Sequence, residues 1–148
     1  MEQSPAVVND SGEPQRCVAV IDCGLAVGKA ANAAAVMALT LGARHPGLVG
    51  DALVDATGME LPGLIPIGIP VLGAQKDELP RIRHKGIEAG VEVIAFPVQG
   101  QQTNDYAEFR RTLKEIETHR IEYLGIMLLG PKKKISRIVG KYSLLRQP

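Results

Sequence analysis

One short segment of this 148-residue chain carries the polar side chains best placed for chemistry, Lys29 and Asn32 in the sequence GLAVGKAAN. The apolar run 17–21 precedes it and is rich in β-branched residues, which is typical of a strand covered on both faces. Asp22 ends the run, and Gly24 permits a tight turn. We therefore expect Lys29 and Asn32 at a helix N-terminus beside the carboxyl end of a strand, where open α/β sheets bind ligands.

The helix that would position these side chains is rich in alanine and is predicted to run from about Gly28 to a stop at Gly42. A plainer interpretation is that Lys29 extends into solvent and Asn32 only caps or packs. The segment is not a phosphate-binding P-loop, because that motif has four residues between its glycines and Ser or Thr after its lysine. Here only three residues separate the glycines and Ala30 follows the lysine, which excludes a nucleotide triphosphatase of that type.

Few other groups suggest catalysis or cofactor binding. Cys17 and Cys23 would lie about 20 Å apart on an extended chain, beyond disulfide reach, which favours a reducing cytoplasm. Cys23 lies near a helix N-terminus but has no evident partner base. The three histidines show no ligand spacing, so we predict no metal and no cofactor. No apolar run approaches the ~20 residues of a membrane span, so we predict no membrane partner.

Charge is distributed unevenly, although the net charge is only +1. Residues 1–15 carry three carboxylates and no basic residue, which predicts a disordered or loosely attached tail before one domain at 16–148. From Lys132 onward there are six basic residues and no acidic one. Lys132 and Lys133 either bind an anion, such as RNA phosphate, or lie in solvent at a helix start.

Strands alternate with helices along the rest of the domain. The predicted elements are a hairpin at 53–61, strands at 91–96 and 121–129, helices at 76–90 and 105–119, and a short basic helix after Pro131. Residues 65–71 form either an edge strand or a strand that begins only at Val71, because Pro66 and Pro70 cannot donate hydrogen bonds. The pattern predicts a three-layer α/β domain, with a mixed, mostly parallel sheet of about four strands and helices on both faces.

Two side-chain patterns refine the predicted helix 105–119. Asp105 and Glu108 have the spacing of a capping box. Tyr106 and Phe109 begin an apolar stripe at helical spacing, which predicts that both are buried.

The two ends of the domain carry a family resemblance. The first resembles the start of the type II peptidyl-tRNA hydrolases, a strand followed by Gly-Lys and Ala-Ala-Gln, which here reads Gly28 to Asn32. The last resembles their closing pattern of Gly-Pro, a short helix, an aliphatic pair before glycine and a final Leu-Leu. The runs AANAAAVMALTLGARHPGLVG and YLGIMLLGPKKKISRIVGKYSLLR resemble still more closely an uncharacterised family, the domain of unknown function numbered two thousand. The resemblance implies a peptidyl-tRNA hydrolase II-like fold and a homodimer.

The likeness to the hydrolases is incomplete at the residues that would act on substrate. Lys29 matches their catalytic lysine only across a gap, and Asn32 and Ala35 replace their Gln and His. Gly125 falls near their Thr, and the loop after 91–96 has no carboxylate. These departures predict a protein that lacks the standard catalytic set. The polar cleft and the basic C-terminal segment predict that it binds a small anionic ligand or nucleic acid. The alternative is a hydrolase of peptidyl-tRNA or a related ester, with Lys29 and Asp22 as catalytic candidates.

The candidate ligand site draws on both ends of the domain. Its members are Lys29, Asn32, Thr103, Gly130, Lys132 and Lys133. We expect Lys29 and Asn32 to face both 97–104 and 130–134 across one pocket.

Overall fold

The computed structural model of the chain describes residues 7–147, which contain six β-strands and four α-helices. The strands are β1 (Gln15–Asp22), β2 (Leu53–Val54), β3 (Glu60–Leu61), β4 (Val71–Ala74), β5 (Glu92–Pro97) and β6 (Tyr123–Pro131). The helices are α1 (Val27–Arg44), α2 (Leu79–Glu88), α3 (Tyr106–Lys114) and α4 (Lys132–Val139). None of these helices is both long and apolar enough to cross a bilayer.

Four strands form the central sheet in the order β4-β1-β6-β5, while β2 and β3 form the predicted hairpin apart from it. The sheet is mixed, but the prediction that it would be mostly parallel is wrong. β1 and β4 are parallel, whereas β6 runs antiparallel to both β1 and β5. The carboxyl ends of β1, β4 and β5 therefore lie at one edge of the sheet, together with the start of β6.

Helices cover both faces of this sheet, as predicted. Successive side chains of a strand point to opposite faces. Accordingly Ala19 and Ile21 of β1 pack in the core beneath α1, whereas Val18 and Val20 pack with α2 and α4. β6 is the predicted apolar inner strand, and all of its residues except the last are buried. The result is a three-layer α/β domain with an aliphatic core on each side of the sheet.

The ends of two helices differ from expectation, and the structure shows where the strand predicted within residues 65–71 begins. α1 continues past Gly42 to Arg44, and the helix ends where the His45 N–H donates to the Leu41 carbonyl at 2.9 Å. Pro46 then prevents further helix. α3 ends at Lys114, well before residue 119, and a separate 3₁₀ turn follows. The ladder of β4 begins at Val71, the second of the two alternatives for residues 65–71.

The described part of the expected tail, residues 7–14, is folded against the start of β1. Asn9 Oδ1 accepts a hydrogen bond from the Glu13 N–H at 2.9 Å, and the Gln15 N–H donates to the Val7 carbonyl at 2.9 Å. Gln15 itself belongs to β1, so the folded domain begins before residue 16. The rest of the predicted tail, residues 1–6, lies outside the described residues.

α3 begins with half of the predicted capping box: Asp105 caps the helix, but its own N–H donates to Thr103 rather than to Glu108. The helix is also less buried than its sequence suggests. The Asp105 side chain accepts hydrogen bonds from the backbone N–H groups of Ala107 and Glu108, at 3.0 and 3.3 Å. The prediction that Tyr106 is buried is wrong, because its side chain is 74% exposed. Phe109 is only half-buried.

Removing the cap of α3 should measurably destabilise the domain. We expect Asp105→Ala to lower the free energy of unfolding by about 1 kcal/mol, because two N–H groups lose their acceptor. Urea denaturation followed by circular dichroism measures the change. Asp105→Asn keeps an acceptor oxygen and should retain most of the stability. An alanine variant as stable as the wild type would contradict the role of Asp105.

Candidate functional site

Lys29 and Asn32 lie where the sequence predicted, at the start of α1 just beyond the carboxyl end of β1. Gln101, in the turn after β5, donates from Nε2 to the Lys29 carbonyl at 2.9 Å and to Asn32 Oδ1 at 3.0 Å. The expected approach to residues 97–104 is therefore present. Sequence reasoning missed Gln101, although a run of glutamines directly after a strand at the same sheet edge was a usable signal.

We call Lys29, Asn32 and Gln101 the Lys29 site. The side-chain oxygens of Gln99 and Gln101 are buried and have no hydrogen-bond partner among residues 7–147. The orientation of Gln101 follows from chemistry, because the Lys29 carbonyl only accepts and so must face the Nε2 donor. The buried oxygen of Gln101 has no partner, and an unpaired acceptor at this position disfavours an anion beside it.

The other two predicted residues at this edge already have structural partners. Thr103 Oγ1 donates to Glu108 Oε2 at 3.2 Å and accepts from the Asp105 N–H at 3.0 Å, so Thr103 orders the start of α3. Asp22 Oδ1 accepts from the Gly24 N–H at 2.8 Å and closes the turn after β1. No hydrogen bond or ion pair joins Asp22 to Lys29 in the described structure, so the two catalytic candidates do not form a general acid–base pair.

Gly130, Lys132 and Lys133 lie at the opposite end of the sheet from Lys29. Gly130 pairs with Arg16 near the start of β1, whereas Lys29 follows the end of the same strand. An eight-residue strand is roughly 25 Å long. The expectation that one pocket unites the two groups is wrong, because the antiparallel course of β6 carries its Gly-Pro end away from α1's N-terminus.

Lys132 and Lys133 instead lie on α4, which packs beside another basic helix, α2. The two helices pack side by side on one face of the sheet and run antiparallel. At one end Lys134 Nζ donates to the Ala89 carbonyl at 3.0 Å, and at the other Tyr142 donates to Glu78 at 2.8 Å. We call the outer side of α2 and α4, continued to Lys141, the basic face.

The basic face carries a large positive charge, although the net charge of the whole chain is only +1. Its eight cations are Arg81, Arg83, Lys85, Lys132, Lys133, Lys134, Arg137 and Lys141. Glu88 is the one carboxylate within the same two segments. The face is therefore +7 while the rest of the chain is −6. Sequence reasoning found the C-terminal half of this surface but missed α2, because only the fold brings the two helices together.

Most cations of the basic face have no partner in the described structure. Lys134 caps the end of α2, and Lys141 forms an ion pair with Glu78 at 3.1 Å. The other six form neither an ion pair nor a side-chain hydrogen bond with residues 7–147. Lys132 and Lys133 also lie at the start of α4, where the helix dipole disfavours positive charge. An anion bound to this face would relieve both the mutual repulsion and the unfavourable dipole interaction.

At the C-terminal end of α1, Arg44 and the following His45 contact Glu92 of β5. Glu92 accepts from Arg44 Nε at 2.7 Å and lies 3.0 Å from His45 Nε2. Burial alone would raise the pKa of Glu92, but the hydrogen bonds from Arg44 and His45 outweigh it and lower the pKa below the usual glutamate value. This carboxylate is therefore charged in the folded protein, and its role is structural.

Glu92 should make the stability of the protein depend on acid pH. Because its pKa is lower in the folded than in the unfolded state, its stabilisation is present above the unfolded value of about 4.3 and is lost as the pH falls through the folded value. Thermal unfolding at pH 7 and at successively lower pH below 4.3 measures this. We expect Glu92→Gln to reduce the melting temperature at pH 7 and to flatten its acid dependence. Equal acid slopes in the two proteins would contradict the assignment.

Neither thiol nor metal chemistry gains support from the arrangement of side chains. Burial raises the pKa of Cys17 to about 11, so this thiol is unreactive. Cys17 and Cys23 are both free thiols. No group of three or more His, Cys, Asp and Glu side chains within residues 7–147 is arranged to hold a metal ion.

Fold and surfaces together define the class: a three-layer α/β protein with one strongly basic face. The sequence places it further, because residues 15–146 match the family described as "Protein of unknown function (DUF2000)". The chain belongs to the DUF2000 family. A solved structure of a protein of unknown function from Agrobacterium tumefaciens has a similar fold, with a TM-score of 0.80 and 18% identity over 88% of this chain and 96% of that chain. A comparison with curated proteins gives no match.

Proposed function

We propose that this protein binds the phosphate backbone of nucleic acid, RNA in particular, on its basic face and does not act as a hydrolase. The observation that supports the proposal is the segregation of eight cations and one carboxylate onto two neighbouring helices and the two residues that follow α4. Phosphate contacts by Lys and Arg supply most of the affinity of sequence-independent nucleic-acid binding.

The dimensions and composition of the face favour a duplex over a single strand or a membrane. α2 is 10 residues long, or about 15 Å, which spans roughly four phosphates along one strand of a duplex. Single-strand binding usually relies on exposed aromatic side chains that stack on bases, and neither helix carries an aromatic residue. Ile87 is the one large apolar side chain exposed on the two helices, so little is available for insertion into a bilayer.

Titration of the full-length protein with a labelled RNA hairpin tests the proposal, with anionic lipid vesicles as the competing polyanion. We expect saturable RNA binding at low salt that weakens steadily as salt is added, because counterions compete with the protein for phosphate. Vesicle binding without RNA binding would overturn the proposal. RNA binding that does not respond to salt would also overturn it.

Two other functions considered from the sequence, binding of a small anionic ligand and hydrolysis of an ester, receive less support from the structure. A small anionic ligand at the Lys29 site would lie beside the buried, unpaired oxygen of Gln101, which favours a hydrogen-bond donor. A hydrolase would need a group that activates or orients water, and Asp22 is occupied by its own turn. The proposal therefore places the ligand on the basic face.

We also propose that the fold is peptidyl-tRNA hydrolase II-like and that the protein is a cytoplasmic homodimer. The fold and the dimer are supported by the sequence patterns Gly28–Asn32 and Gly130–Pro131 that resemble that family. The reducing compartment is supported by two cysteines that are both free thiols.

A further inference from the structure

An apolar hairpin and an apolar groove, both on the α1 side of the sheet, lack partners in the described structure. We call residues 50–64, which contain β2 and β3, the arm. The arm leaves the domain after Leu48 and returns at Ile65, and both residues pack in the core beneath α1. We call the cavity of about 340 Å³ between α1, β5 and α3 the groove. We propose that the arm of one copy of this chain docks in the groove of a second copy.

The arm exposes more apolar surface than an isolated hairpin can sustain without a partner. Its exposed large apolar residues are Leu53, Val54, Met59, Leu61 and Leu64. Leu64 is 67% exposed, and both residues of each strand are exposed. A two-stranded hairpin on its own is marginally stable in water, and contiguous exposed apolar patches mark interaction sites.

Hydrogen bonds nevertheless hold the arm in one shape. Asp55 Oδ1 accepts from the N–H groups of Thr57 and Met59, each at 2.9 Å, and from the Thr57 hydroxyl at 2.8 Å. At the base the Gly50 N–H donates to the Leu64 carbonyl at 2.8 Å. Any side chain at Gly63 would collide with the backbone of Gly50. An arm that is already ordered loses little conformational entropy on docking.

The groove offers a surface of matching chemistry. Val36 and Met37 of α1, Phe96 of β5, and Tyr106 and Phe109 of α3 line it. The Tyr106 and Phe109 rings meet edge to face, with centroids 6.0 Å apart. This is the stripe predicted to be buried, and in one copy of the chain it is only partly covered. A second apolar element in the groove would complete its burial.

The negative charge of the arm complements the positive charge around the groove, which favours the arm as the segment that binds there. The arm carries Asp51, Asp55 and Glu60, and no basic residue occurs between Pro46 and Gln75. The groove is lined by Arg110, which forms no ion pair with residues 7–147. Of the other cations on α1 and α3, Lys29, Arg111 and Lys114 also form no ion pair with residues 7–147, whereas Arg44 pairs with Glu92. A negative apolar arm and a positive apolar groove are therefore complementary.

Placement on the same side of the sheet suits a twofold dimer. In such an isologous contact each copy inserts its arm into the other, so the interface contains the same pair of contacts twice. The inference rests on the proposed homodimer and specifies its interface. It is independent of RNA binding, because the basic face lies on the opposite side of the sheet.

Sedimentation equilibrium of the full-length chain tests the arrangement with two exposed positions. We expect the wild type to be a dimer, and Leu61→Glu in the arm or Tyr106→Glu in the groove to raise the dimer dissociation constant at least tenfold. Mixing the two variants should restore association, because one intact arm then meets one intact groove. Ile87→Glu on α2, also at an exposed apolar residue, is the matched control and should remain dimeric. Leu64→Glu in the arm and Val36→Glu in the groove wall serve as second variants if either first variant fails to fold.

The possible results test two hypotheses separately: that the protein is a homodimer, and that the arm and the groove form its interface. A monomeric wild type overturns both. A wild-type dimer that neither variant weakens overturns the arm-and-groove interface and leaves the homodimer standing. A mixture that stays monomeric, although each variant alone is monomeric and folded, overturns the pairing of arm with groove.

Discussion

Gly125→Val should destabilise the domain by about 3 kcal/mol, an effect at the upper end of the range for overpacking a core. A Cβ at Gly125 would lie 2.8 Å from Ile21 Cδ1, 2.8 Å from Met37 Cε and 3.1 Å from the Val20 carbonyl oxygen. The side-chain tips can shift, but the carbonyl belongs to the neighbouring strand and cannot move without disturbing the sheet. Urea denaturation at neutral pH measures the loss.

Gly42→Ala is the matched control for this change. Gly42 lies inside α1, and nothing approaches within 4 Å of the position its Cβ would occupy. Alanine favours helix over glycine, so we expect the variant to gain up to ~1 kcal/mol. If Gly125→Val were as stable as the wild type, the close packing of α1 on β6 would be contradicted.

Removing three charges from the basic face should weaken RNA binding at least tenfold at low salt. The variant is Lys132→Gln/Lys133→Gln/Arg137→Gln, whose positions are exposed and lack partners among the described residues. The physical reason is the loss of three phosphate contacts from a surface that supplies most of the affinity. Fluorescence anisotropy of a labelled RNA hairpin measures the dissociation constant.

The control is a second triple variant that removes three positive charges from α1 and α3, outside the basic face. Lys29→Gln/Arg111→Gln/Lys114→Gln alters exposed positions on α1 and α3. We expect it to bind RNA within about twofold of the wild type. Equal losses in the two variants would mean that only net charge matters, and the basic face would then have no special role.

The sequence predicts the elements that local patterns determine. The apolar runs locate β1 and β6, and the alanine-rich stretch locates α1. Gly125 in the middle of an apolar strand predicts close approach by a neighbour, which the packing of Met37 confirms. The same packing leaves no room at this position for a larger side chain, a threonine included.

Long-range pairing is the part that local patterns do not determine. Strands that alternate with helices are compatible with either direction of β6, so the sequence could not show that β6 is antiparallel to β1. Because of that direction, Gly130 lies far from Lys29, and the predicted site loses Gly130, Lys132 and Lys133. The same direction also places the start of α4 beside the end of α2, where Lys134 meets Ala89, and so assembles a surface that neither helix reveals alone.

The salt dependence of RNA binding shows whether side chains of the basic face contact phosphate. The measurement compares the logarithm of the association constant with the logarithm of salt concentration, for the wild type and for the variant with glutamine at 132, 133 and 137. Each lost phosphate contact lowers the slope by about one unit or slightly less, so the account predicts a slope shallower by about two to three. Parallel lines for the two proteins would show that these side chains touch no phosphate and would contradict the account.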